Sequence, residues 1–119
     1  MTLEIRDVVA TAEEMLADAY ELVLSGWCQG MAAQDELGRS IEPSSAFARR
    51  WSASGALERV WRRGAEGDEA ALEAYQRASL ALAAAVRDVP QHWNDTAGRR
   101  LDEVLDGLAS AASNLRPVG

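Results

Sequence analysis

Gly26-Trp27-Cys28-Gln29-Gly30 ends one kind of pattern and begins another. Upstream of it the chain has helical periodicity; downstream, from Met31 to Ser45, it has almost none. A glycine after a long periodic segment commonly adopts positive φ and stops a helix, which is the part expected of Gly26. Gly30 lets the backbone turn again or approach a neighbour closely. Between them, Trp27 carries enough aromatic surface to pin the turn to a core. Two readings follow. Either the loop lines a ligand site, with Gln29 offering two donors and an acceptor, or it is a helix-end turn anchored by a buried indole.

Before the pentapeptide, Ile5, Val8, Val9, Ala12, Met15, Leu16, Ala19, Leu22 and Val23 share one helical face, with Glu13, Glu14, Asp18 and Glu21 opposite. This predicts a first helix capped at Thr2 or Asp7 and stopping near Ser25. After the loop, Asp35-Glu36-Leu37-Gly38-Arg39 reads as a turn and Pro43-Ser44-Ser45 as a helix start. A second helix is expected from about Ser45 to Arg63, with Phe47, Trp51, Leu57 and Trp61 inward. Gly55 in its middle costs about 1 kcal/mol relative to alanine, which a closely packed neighbour or a kink would explain.

Asp68 is placed to cap a third helix ending before Pro90. Its stripe of Leu72, Tyr75, Ser79, Leu82 and Val86 beside a second of Ala71, Ala74, Ala78, Ala81 and Ala85 suits a central position. Val89 to Thr96 reads as a connector without helical period. A fourth helix follows from about Arg100 to Asn114, ended by Pro117. The expectation is an all-α, single compact domain spanning 1–119, with four principal helices, structured loops after the first and third, and no strand. Its core would contain Trp27, Trp51, Tyr75, Leu82, Trp93 and Leu105.

The totals narrow the function. A length of 119 residues with 48% apolar and 26% charged residues is ordinary for one globular domain. A net charge of −7 argues against general binding of nucleic acid or anionic membranes. All 12 basic residues are arginine, so Schiff-base chemistry and a P-loop lysine are excluded. Abundant alanine without lysine suggests a GC-rich bacterial or phage coding sequence. The lone Cys28 cannot form an intrachain disulfide and fits a reducing cytoplasm. Acidic residues at 4, 7, 13 and 14 interrupt any leader-like apolar run, and Ala78 to Val86 is far shorter than the ~20 residues of a membrane span.

Gly26-Trp27-Cys28-Gln29-Gly30, then Gly55-Ala56-Leu57, then Trp93-Asn94-Asp95 with Val104 beyond, resemble a family of small helical bacterial and phage proteins of unknown function. The likeness spans nearly the whole chain and implies a fold, with no activity attached. Where that family often opens its last helix with threonine, this chain has Arg100. A capping box with Glu103 is therefore in doubt, because arginine cannot accept the backbone N–H bonds.

Chemistry-bearing clusters are few. His92 and Asp95 could pair as acid and base, or Trp93 could be buried with Asn94 and Asp95 bonding loop backbone. One histidine and one cysteine give no zinc spacing, and no metal or cofactor is expected. Cys28 with His92 as nucleophile and base has no spacing to support it. Between Ala46 and Arg63, by contrast, Arg49, Arg50, Arg59, Arg62 and Arg63 face only Glu58. That is a local surplus of +4 in a chain whose remainder carries −11. These arginines either pair with acids of the first and third helices, or simply solvate that face, or recognise an acidic partner or a phosphate. With Trp61 they compose the expected working surface of a non-enzymatic interaction or regulatory module, binding a protein or a second copy. The alternatives are a small-ligand pocket, or a small enzyme, built from Gln29, Asp35, His92, Asn94 and Asp95 between the tryptophan loops, and an acidic inhibitor that mimics nucleic acid.

Overall fold

The computed structural model describes residues 5–115. Helix α1 (Ile5–Ser25) lays Val8, Ala12, Met15, Leu16, Ala19 and Val23 along one buried stripe. The i, i+3, i+4 spacing read from the sequence is what keeps those side chains on one face. Thr2 lies outside the described residues, and Asp7 sits inside the first turn rather than at the cap. The helix stops at Ser25, as expected, but Gly26 is not in the left-handed region; Gly30 is, at φ 82°. Gly26 serves by its size, because a methyl there would collide with the Arg49 carbonyl.

The largest departure follows. Strands β1 (Ala33–Asp35) and β2 (Ala48–Trp51) pair antiparallel, with Ala33 opposite Trp51, Gln34 opposite Arg50 and Asp35 opposite Ala48. The register shift leaves Arg49 as an extra residue on β2, a bulge that bends the strand and re-aims the side chain. It also places buried Ala48 and Trp51 three residues apart with Arg49 and Arg50 between them. Three-residue spacing imitates a helix, so β2 reads as the start of the second helix when it is not. Phe47, expected inward, is 70% exposed.

Helix α2 therefore begins at Ala53 and runs to Ala65. Ser52 caps it, accepting from Gly55 N–H at 3.0 Å. Gly55 lies in the first turn, and its missing side chain makes room for the Ala32 carbonyl of the loop before β1, not for a neighbouring helix.

Helix α3 (Glu69–Val86) is capped by Asp68, whose carboxylate accepts from Ala70 and Ala71 N–H. Its alanine stripe, Ala71, Ala74 and Ala78 continued by Leu82, is the buried face. Leu72 is 39% exposed. The connector contains a short helix α4 (Pro90–Asn94), begun by a proline whose missing N–H costs nothing in the first turn. Helix α5 (Leu101–Leu115) buries Val104, Leu108 and Ala111. Half a capping box survives at its start: Glu103 accepts from Arg100 N–H at 2.9 Å, while arginine returns nothing.

α1 packs on α2, α3 and α5, and α3 also touches α2, α4 and α5. The described residues form one compact, mostly helical body of 42 × 27 × 20 Å with a small two-stranded sheet that packs against α1 and α2. Of the expected core, Trp51 and Leu82 are buried; Trp27, Tyr75, Trp93 and Leu105 pack partly buried against it. No described helix is long and apolar enough to cross a membrane.

Candidate functional site

Two places answer to the sequence, and the fold treats them differently. The first is the junction of the tryptophan loops. Trp51 N–H donates to Gly26 O and Cys28 N–H to Trp51 O, so the Gly-Trp-Cys segment runs beside β2. Helix α4 closes over it from the other side. Asn94, fully buried, donates to Cys28 O (3.1 Å) and to Asp95 Oδ1 (2.9 Å). Its Oδ1 accepts from Trp27 Nε1 (2.9 Å) and Ala53 N–H (3.1 Å). Both amide hydrogens and both lone pairs are thereby used.

Neighbouring groups join the network. Gln29 Nε2 donates to the Asn94 and Thr96 carbonyls. Asp95 accepts from Gly30 N–H and from Gln91 Nε2, and Gln91 Oε1 accepts from the Ser52 and Ser54 hydroxyls. Burial opposes ionisation of Asp95, but the bonds from Gly30, Asn94 and Gln91 outweigh it and hold the carboxyl below its ordinary value. Gln91, Ser52 and Ser54 escaped the sequence reading; Ser52 ahead of an apolar run was a capping signal hidden by the helical look of β2.

The junction thus brings Gln29, Asn94 and Asp95 together and engages the Asn94 amide, the Asp95 carboxylate and Gln29 Nε2 with main chain and neighbouring side chains. His92 is turned outward. Its Nδ1 lies 2.6 Å from Asp88, which this contact draws below the usual carboxylate range; of the two readings weighed above, the pairing with Asp95 is not the one formed. Asp35 stands apart in β1, accepting from Leu37 and Arg39 N–H and from Arg39 Nε. The Cys28 thiol faces Met31 O, and burial, then the charge of Asp95, pushes its pKa up to about 11. A neutral thiol with no adjacent base is a poor nucleophile. Among the described residues no group of three His, Cys, Asp or Glu side chains is placed to hold a metal ion.

The second place is the arginine segment. Arg59 Nη1 donates to Pro43 O and Ser45 O, Arg63 Nε to Ser44 O, and Arg49 Nη1 to Ala46 O and Ala48 O. Three guanidiniums from β2 and α2 therefore gather on one loop, residues 43–46. Burial, then repulsion from Arg63 and Arg49, lowers the pKa of Arg59. Arg59 also lies over the Trp51 ring, 4.9 Å from its centroid, while Trp51 Nε1 donates to Pro43 O. Arg50 bonds Gln34 Oε1. Arg62 differs, pairing with Glu58 and Glu66 along its own helix. Trp61 turns toward α3 and stacks on Tyr75 with centroids 4.6 Å apart.

A family model described as a family of unknown function, DUF6197, matches residues 7–114, which contain both tryptophan loops and the arginine segment. The chain belongs to this family. No curated protein and no solved structure matches it. This chain of the DUF6197 family thus carries both a hydrogen-bonded polar junction and an arginine-collared loop, with Trp51 touching each.

Two clefts of this DUF6197 chain flank the collar. One, about 430 Å³, is lined by Asp35, Glu36, Leu37, Arg39, Ile41, Phe47 and Arg49. The other, about 560 Å³ and open, sets Asp18 and Glu21 of α1 against Arg59 and Arg63 of α2. Neither takes a wall from Gln29, His92, Asn94 or Asp95.

Proposed function

We propose that this chain is a non-enzymatic interaction module, of bacterial or phage origin and cytoplasmic, whose working surface is the arginine collar around residues 43–46. One observation carries the reading. Arg49, Arg59 and Arg63 bond main-chain carbonyls of residues 43–48, whereas Arg39, Arg62, Arg77, Arg99 and Arg100 each reach a carboxylate on a residue near in sequence. A guanidinium has five N–H donors, so each of the three keeps donors for a partner. Their positive field stands on a chain of net charge −7, which disfavours long polyanions and leaves a short acidic segment of another protein as the fitting partner.

A labelled oligoglutamate peptide tests this at about 0.1 M salt, where a Debye length of about 10 Å screens the distant acidic surface but not a contact pair. Salt-sensitive binding that falls at least tenfold in Arg49→Glu, with Arg77→Glu unaffected, is the expected result. Arg77 on α3 is a fair control because its partner is Glu73 of the same helix. No binding by the wild-type chain, or equal binding by both variants, would contradict the proposal.

A further inference from the structure

Leu37 and Phe47 are 75% and 70% exposed, large apolar side chains that, unlike Leu80 on α3 at 71%, lie close together. They border the same cleft, which Ile41 also lines. Each is held out on a hydrogen-bonded turn. Asp35 accepts from Leu37 N–H at 2.9 Å, and Gly38, at φ 83°, completes that turn. Ser45 Oγ accepts from Phe47 N–H at 3.1 Å. Two apolar residues fixed outward cost little ordering on binding, which distinguishes a prepared surface from scattered exposure. Arg49, the bulge residue, lines this cleft and also belongs to the collar. The Asp35–Arg39 pair neutralises one wall, so the positive charge is concentrated at the Arg49 end.

We infer that this cleft receives an apolar side chain of an acidic peptide segment, seated between Leu37 and Phe47 while neighbouring carboxylates of the segment lie along Arg49, Arg59 and Arg63. The partner is then a short acidic stretch interrupted by one large apolar residue. Glu36 on the cleft rim repels carboxylates, which places the acids of the segment on the Arg49 side of the anchor. This inference rests on the collar being the working surface, and it adds the anchor that gives the surface its selectivity.

Selection of a displayed random decapeptide library on the whole chain tests it. The expected consensus has acidic residues flanking one Leu, Ile, Phe, Met or Trp. Replacing that residue by alanine in the consensus peptide lowers affinity at least tenfold. On Phe47→Ser and on Leu37→Ser the same replacement changes affinity less than twofold, because the anchor has lost its seat. Both substitutions are on exposed side chains, and an unchanged thermal midpoint confirms that the fold is kept. A consensus that is acidic without an apolar position overturns the anchor and leaves the collar standing. A consensus without acidic bias, or no enrichment, overturns both. Sedimentation of the free chain gives the remaining outcome: a concentration-dependent dimer abolished by Phe47→Ser would make a second copy the occupant and overturn the peptide assignment.

Discussion

The indole N–H of Trp27 donates to Oδ1 of Asn94 across 2.9 Å, tying the first loop to the last one 67 residues away. Asn94→Ala strands Trp27 Nε1, Ala53 N–H and Cys28 O in a buried junction. Unsatisfied buried groups cost about 1–3 kcal/mol each, with partial relief from relaxation, so a loss of about 3–4 kcal/mol is expected. Trp27→Phe removes one of these bonds and costs about 1–2 kcal/mol. The double variant loses less than the sum, since the two share that bond. Urea unfolding of the three variants checks this.

Acid should destabilise the fold at three separate carboxylates, one of them in this junction. Asp35, Asp88 and Asp95 are each held below the ordinary carboxylate value of 3.8. A depressed folded-state pKa adds stability that is complete above the unfolded value and lost as pH falls through the folded one. The thermal midpoint should therefore be flat between about pH 5 and 7 and fall below about pH 4. Asp95→Asn removes part of that acid dependence. A midpoint that rises toward pH 3 would count against these hydrogen bonds.

Cys28 offers a chemical probe of the junction. With its pKa near 11 against an ordinary 9.0, the folded chain holds about a hundredfold less thiolate at neutral pH, and burial slows reagents further. Iodoacetamide should modify it at least a hundredfold more slowly than in urea, and faster in Asn94→Ala. Because the folded-state value is raised, this group's contribution to stability is full below pH 9 and declines toward pH 11.

Two glycines of α2 should respond in opposite senses. Gly55→Ala drives a methyl into the Ala32 carbonyl and should cost about 2 kcal/mol or more. Gly64→Ala meets nothing within 4 Å and should gain about 0.5–1 kcal/mol by restricting the unfolded chain. Thermal unfolding of the pair separates close approach from simple helix propensity.

The helices α1, α3 and α5 were legible because their apolar spacing and caps, such as Asp68, act locally. The region from Ala33 to Ser52 was not. A bulge at Arg49 turned strand alternation into helical spacing, and β1 is only three residues long. The tryptophan motifs announced that something met there. What met them was hidden, because Gln91 and Ser52 are ordinary residues whose partners lie 39 positions apart. The arginine surplus was visible as charge, but its collar geometry depends on where the 43–46 loop folds back, which no local pattern specifies.

Amide hydrogen exchange, followed with and without the selected peptide, tests most directly whether the arginine collar is the working surface and the tryptophan junction a filled support. Protection is expected at residues 36–49 and in the later turns of α2 that carry Arg59 and Arg63, with residues 27–30 and 91–96 unchanged. Protection confined to 27–30 and 91–96 would place the ligand between the tryptophan loops and contradict the account.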